Sequence, residues 1–358
     1  MAIYICYLLL AGIQMPFFHN KRNALGGRCF DTKGYLTLCC AELILLAGLR
    51  GYTVGADTAT YLKAIDHYST LPKSQLMTAK LVWPFDFEIG YFMLTKLSVL
   101  FGLGKTGFLF VIALITYIPV FSAIGKHSSR PYISILCYFA FSMFSYSLGI
   151  FRQMIAMSIL FIGWRYVTER RLVKYMLLVA VAMLFHTTSV IAVALYFLYG
   201  LKWDRVLLFV PLAEIFLLVL GRPVVMFALR LLPKYAGYVG GKYDIEGGSY
   251  LMLLLLNVIL FAAVFFRQKG DADQNLTICA LILAVCLQCV GYSMAIFGRV
   301  VPYFSVYLIF AVPNILRGIG KKWSALAVPL VAVCLLLLTV RDLHGNSYVT
   351  PYYTFFQG

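Results

Sequence analysis

Six side chains in this sequence have the chemistry to handle an anion and an alcohol together: Arg50, Asp57, Glu88, Arg152, His186 and Arg299. The first three fall in the longest hydrophilic stretch, Arg50 to Glu88, of a chain that is otherwise mostly apolar. Ionisable groups at the border of a bilayer are costly and are usually kept for a task. Arg152, His186 and Arg299 stand at or inside apolar segments. Three arginines suit a polyanion, because guanidinium stays charged and offers paired donors to phosphate oxygens, and pyrophosphate is the guest this pattern fits. Asp57, Glu88 and His186 are groups able to orient or deprotonate a hydroxyl. His186 is the favoured base, since its unperturbed pKa of ~6.5 needs little tuning. Gln153 accompanies Arg152, and Asp57, Tyr61, Ala64, Ile65 and Tyr68 share a helical spacing that predicts a short interfacial helix. For Arg50 the plain alternative is a snorkelling anchor at a helix end; for His186 it is a satisfied structural residue.

These groups must be positioned by membrane helices. The 358 residues are 62% hydrophobic and 12% charged, with a mean hydropathy of +0.87, far from the roughly one quarter of charged residues in soluble domains. The pattern predicts an all-α polytopic membrane protein forming one integral domain over residues 1–358. About twelve transmembrane helices are expected, plus a re-entrant or interfacial helix at 89–103, a segment of marginal length for a crossing. The net charge of +16 lies largely in short basic loops, as the positive-inside rule predicts, so it reads as topology and not as a nucleic-acid surface. Placing those loops in the cytoplasm puts residues 50–105 and 221–250 in external loops and brings the six groups to the outer side. His186 then sits at a turn sunk below the outer surface, where irregular backbone is tolerated only if protein or a wet cavity lines it. Tyr235, Tyr238, Tyr243 and Tyr250 make the second loop either an interfacial tyrosine belt or a lid with stacking faces.

Other patterns carry less. The nine cysteines lie almost all in apolar segments, so Cys286 and Cys289, despite their CxxC spacing, read as small packing residues. Gly104-Lys105-Thr106 lacks the first glycine of a phosphate-binding loop, with Val99 in its place. Asp271-Ala272-Asp273 reads as a solvated loop, and neither a metal site nor a cofactor is expected. The first span reads as retained, without a signal-peptide pattern.

An ordered set of short motifs resembles the EpsG-type, or Wzy-like, membrane polymerases of bacterial exopolysaccharide and capsule. It comprises Arg50 with Gly55-Ala56-Asp57-Thr58 and Tyr61, Phe87-Glu88 with Gly90-Tyr91, Arg152-Gln153 with Ala156, Phe185-His186 with Ser189, and Gly298-Arg299 with Tyr303. The set covers about residues 45 to 305. The run His186-Thr187-Thr188-Ser189 departs from the family pattern after the histidine, and the departure matters little to the assignment. The resemblance implies a GT-C-like glycosyltransferase in the bacterial cytoplasmic membrane, with its active site facing outside. Its donor and acceptor would be undecaprenyl-pyrophosphate-linked oligosaccharide repeat units, joined with release of undecaprenyl pyrophosphate. Arg152 and Arg299, with Arg50, would hold the pyrophosphate. His186, or failing it Glu88 or Asp57, would take the acceptor proton, while Tyr61, Gln153 and Tyr303 would position substrate. Membrane lipid surrounds such a protein, and a chain-length regulator and a flippase are the protein partners the resemblance leaves room for. The alternatives are a lipid-linked oligosaccharide flippase or transporter, and an O-antigen-ligase-like transferase.

Overall fold

A bilayer offers a polar backbone nothing to bond with except itself, so a chain this apolar must fold into helices that satisfy their own peptide groups. The computed structural model describes residues 1–22, 28–79, 87–201, 203–231, 247, 249–293 and 295–357. In chain order the helices are α1 (Ala2–Gln14), α2 (Thr32–Gly48), α3 (Thr58–Ser69), α4 (Lys73–Leu76), α5 (Ile89–Leu100), α6 (Gly104–His127), α7 (Pro131–Ala140), α8 (Met143–Gly149) and α9 (Phe151–Ile162). They continue with α10 (Trp164–Thr168), α11 (Leu172–Met183), α12 (Val193–Tyr199), α13 (Trp203–Leu231), α14 (Tyr250–Phe265), α15 (Ala272–Ser293), α16 (Pro302–Ser305), α17 (Leu308–Gly318) and α18 (Lys321–Gly345). Lys21–Arg22 and Arg28–Cys29 pair as a small antiparallel ribbon.

The protein is a polytopic helical membrane protein. Among the described residues five helices are long and apolar enough to cross: Ala2–His19, Gly104–His127, Arg205–Phe227, Ala272–Tyr292 and Lys322–Gly345. Two bent pairs, Pro131–Ala140 with Met143–Gly149 (61°) and Phe297–Ser305 with Leu308–Gly318 (41°), raise the number to seven if each is one broken span. Other segments among the expected twelve spans fold as shorter apolar helices, among them Phe151–Ile162, Leu172–Met183 and Tyr250–Phe265. Helix α5 has 12 residues, roughly 18 Å at ~1.5 Å per residue, against a hydrocarbon core of ~30 Å.

By its internal contacts the chain divides into two units. The first holds Met1–Trp164, Met176–Val190 and Leu326–Gly358; the second holds Arg165–Tyr175 and Ile191–Ala325. In the first unit, α2 and α9 both pack on α6. Tyrosine and serine hydroxyls stitch the helices by bonding main-chain carbonyls that would otherwise serve only their own helix: Tyr7 to Cys39, Tyr35 to Ala11, and Ser158 to Thr116. The break between α7 and α8 is pinned by Asp342 of α18. Its carboxylate accepts the hydroxyls of Ser142 and Ser145, each at 2.5 Å, at a helix start where negative charge is favoured.

The amphipathic helix expected around Tyr61 is present as α3, with Tyr61, Ala64, Ile65 and Tyr68 on its buried side. Two devices fix it. Lys96 of α5, 1% exposed, lies over the Tyr68 ring of α3 at 5.9 Å and over Phe92, and donates to the carbonyls of Met77 (3.1 Å) and Ala79 (2.5 Å) in the segment beyond α4. At the other end, the turn from Arg50 to Asp57 is strapped by the C-terminal segment: Gly51 N–H donates to Tyr353 O, Gly55 N–H to Tyr348 O and Phe355 N–H to Leu49 O. The sequence of that tail carries no firm signal of this role.

Gly55 has a φ of +110° and sits against the carbonyl of Leu148, where a Cβ would overlap the oxygen. Only glycine tolerates both the conformation and the approach. Gly55→Ala is therefore expected to cost about 2–3 kcal/mol of stability from strain of this kind. The check is a thermal melt of the purified variant in detergent, and a wild-type midpoint would contradict the turn described.

In the second unit α15 is central, packed by α12, α13, α14 and α17. Helix α13 runs to Leu231 with Pro211 and Pro223 inside it. Residues 221–231, expected to open an external loop, are helical, because proline in membrane helices does not oblige the helix to stop when neighbours re-satisfy the backbone. Tyr235, Tyr238 and Tyr243 lie outside the described residues; Tyr250 is exposed and its ring meets Tyr292 at 4.6 Å. The Asp271-Ala272-Asp273 segment is not simply solvated. Asp271 caps α15, accepting the N–H groups of Asp273 and Gln274 at 3.0 Å each, and pairs with Arg317 at 3.1 Å. Cys289 is buried in α15, and both it and Cys286 are free thiols.

Candidate functional site

The site forms where two helix starts and one helix end meet. Glu88 precedes α5 in extended backbone (φ −65°, ψ 152°) and is its N-cap, yet its side chain makes no cap to its own helix. Arg152 is the second residue of α9. His186 follows α11 in a turn whose N–H returns to Ala182 O at 3.0 Å. The two ends are joined by Gly90 N–H donating to Leu184 O at 2.7 Å. A Cβ on Gly90 would meet that same oxygen at 2.7 Å, so the absence of a side chain there lets α5 begin against the end of α11.

Glu88 is the hub. One carboxylate oxygen, Oε2, pairs with Arg152 Nη1. The other, Oε1, accepts from the Thr187 N–H at 3.0 Å and lies 3.1 Å from His186 Nδ1 and 3.4 Å from the Thr187 hydroxyl. The side chains are sheltered without being sealed, at 17% exposure for Glu88, 22% for Arg152 and 23% for His186. Burial pushes the Glu88 carboxyl up. The His186 hydrogen bond, the Arg152 charge and the Thr187 amide outweigh it and hold the pKa at about 2. Such a group is ionised at any working pH and can only accept hydrogen bonds, so Nδ1 of His186 must be the donor. In the neutral ring that leaves the proton-accepting lone pair on Nε2.

A stack of aromatic rings carries Arg152. Its guanidinium lies over Phe87 (5.0 Å) and Tyr61 (5.9 Å), and Nε donates to the Tyr61 hydroxyl at 3.5 Å. Tyr61, 4% exposed, stacks on Phe151 at 4.7 Å and touches Tyr91 and Phe87. Cation–π contact of this kind holds a guanidinium in place while leaving donors for another ligand.

The structure thus brings together Glu88, Arg152, His186 and Tyr61. It gives Arg50 another place: the side chain is 1% exposed, donates to the carbonyls of Ala47, Val54 (3.2 Å) and Leu148 (3.4 Å), and lies over Phe151. Each of its three nitrogens bonds a main-chain carbonyl, so in this structure it anchors the loop. The Tyr61 ring is likewise taken up by packing, against Phe151, Tyr91 and Phe87 and under the Arg152 guanidinium, and its hydroxyl accepts from Arg152 Nε. Asp57 stands exposed at the N-cap of α3, and Gln153 is buried in α9. Arg299, exposed at the end of the 3₁₀ turn Ala295–Arg299, and buried Tyr303 belong to the second unit. Thr187, which reads from sequence as a departure of little weight, supplies two of the contacts on Oε1. Its position directly after a candidate histidine in a turn is the available signal.

The low value at Glu88 has a pH consequence. An unfolded chain takes up the proton near 4.5, the folded one only near 2. Stability from this network is therefore complete above the unfolded value and is lost as pH falls through the interval between the two. The gap in melting temperature between wild type and Glu88→Ala is expected to stay constant from about pH 5 to 8 and to close toward pH 2. A gap that instead changed through neutral pH would assign the network's titration to another group.

The model of the EpsG family matches residues 33–354, a range that takes in every member of this cluster. No curated protein and no solved structure matches the chain.

Proposed function

The chain belongs to the EpsG family, and we propose that it polymerises polyprenyl-pyrophosphate-linked oligosaccharide repeat units, with the Glu88, Arg152 and His186 cluster as its reaction centre. The observation that carries this reading is the division of one carboxylate between a guanidinium and an imidazole. An anion clamp and a candidate base are held within one residue's reach of each other. In the proposed step the acceptor hydroxyl oxygen attacks the anomeric carbon of the donor sugar, and the bond from that carbon to the pyrophosphate oxygen breaks. The hydroxyl proton goes to Nε2 of His186, the imidazolium is stabilised by Glu88 through Nδ1–H, and the electron pair leaves on the pyrophosphate beside Arg152. Pyrophosphate is already a good leaving group, so positioning and charge stabilisation carry much of the work. In this reading the reaction runs at the outer face of the bacterial cytoplasmic membrane, with undecaprenyl as the lipid carrier.

The test is reconstitution into liposomes with lipid-linked repeat units. A ladder of products with release of the pyrophosphate lipid is expected. A change only in the sidedness of the lipid-linked unit would assign a flippase instead, and transfer of a single unit to another acceptor would assign a ligase.

A further inference from the structure

The contacts on Glu88 are unequal, and the inequality suggests a sequence of events. Oε1 is held by the Thr187 amide, with His186 and the Thr187 hydroxyl also within reach, whereas Oε2 is turned to Arg152. Arg152 in turn has supports that do not involve Glu88: the faces of Phe87 and Tyr61, and the Tyr61 hydroxyl. Either partner can let go of the other and stay where it is. A partly buried guanidinium needs an anion beside it, and a carboxylate presents oxygens to guanidinium much as a phosphate does.

We propose that Glu88 is the resident anion of the Arg152 site, occupying it until the donor pyrophosphate displaces it. This rests on the reading of Arg152 as the phosphate clamp. On exchange, Oε2 loses its cation while Oε1 keeps His186 and Thr187, and the negative charge of Glu88 then bears more fully on the imidazole. The base is strengthened only when the leaving group is seated. An enzyme built this way gives up some donor affinity to keep the clamp charged, ordered and closed to stray anions in the empty state.

The arrangement predicts effects of opposite sign from one substitution. Glu88→Gln keeps the shape but removes the competing charge, so inorganic pyrophosphate is expected to bind the detergent-purified variant about 5–10-fold more tightly than wild type by calorimetry, at the low end of coupling between two ligands of one site. Polymer formation by the same variant should fall. Arg152→Ala should bind no pyrophosphate. Equal or weaker pyrophosphate binding by Glu88→Gln, with binding lost in Arg152→Ala, would overturn the displacement and leave the clamp standing. Wild-type affinity in Arg152→Ala would remove the clamp itself. Should Glu88→Gln fail to fold, wild-type protein still decides: adding pyrophosphate is expected to shift a carboxylate stretching band in the infrared difference spectrum, a shift missing in Arg152→Ala. An unshifted wild-type band would sink the proposal.

Discussion

Arg152→Ala is expected to lower polymer formation by at least ~100-fold, the scale seen when one preorganised stabiliser of developing negative charge is removed. Two losses follow, and only the first lies in that figure; the second is one of stability in the empty site. The leaving pyrophosphate loses its fixed counter-charge, and Glu88 loses the cation on Oε2, which leaves a sheltered carboxylate with one side unpaired. Arg152→Lys separates them, because an ammonium supplies charge as a point without the planar fork or the stacking. That variant should regain ordinary stability, since Glu88 recovers a partner, but only part of the rate, since nothing would lie flat on Phe87 and Tyr61. Comparing ladder formation with thermal melts for the two variants checks this. Full activity in Arg152→Lys would mean that charge alone suffices and that the aromatic cradle is structural.

The members of the proposed reaction centre stand out in the sequence because their types are costly in a membrane: a carboxylate, a guanidinium and an imidazole at the ends of apolar segments invite a functional reading. Their mutual arrangement is not legible there. Glu88 lies 64 residues from Arg152 and 98 from His186, and no local periodicity relates them. The meeting depends on α5 starting against the end of α11, which turns on Gly90. Arg50 shows the converse. A charge at the end of an apolar run reads as a ligand-binding candidate, yet Leu148 and the C-terminal strap, supplied from far along the chain, give this loop its partners. Burial of the Tyr61 ring is hidden for a related reason. Its stacking partner Phe151 is notable only for preceding Arg152, and a phenylalanine in a chain with 28 of them carries no signal.

His186→Ala is expected to reduce turnover by roughly 10²–10⁴-fold, the range for loss of a positioned general base. Alanine alone does not separate a base from a residue that merely steers Glu88, because both roles vanish together. Two amides do. In His186→Asn the side-chain nitrogen falls near the place of Nδ1, so the bond to Glu88 Oε1 can be kept while nothing remains at Nε2. In His186→Gln the terminal amide reaches toward the place of Nε2 instead. If Nε2 removes the acceptor proton, neither amide is basic enough to replace it, and both variants should be as slow as His186→Ala even where His186→Asn restores the wild-type melting temperature. If the imidazole serves only to hold the carboxylate, His186→Asn should recover most of the rate. The geometry favours the first outcome on a physical ground: the Thr187 amide already anchors Oε1 at 3.0 Å, so Glu88 has its own fixed support without the ring. The ionised carboxylate, in turn, is what obliges the ring to carry its hydrogen on Nδ1 and leave the lone pair on Nε2, the nitrogen the proposed step uses.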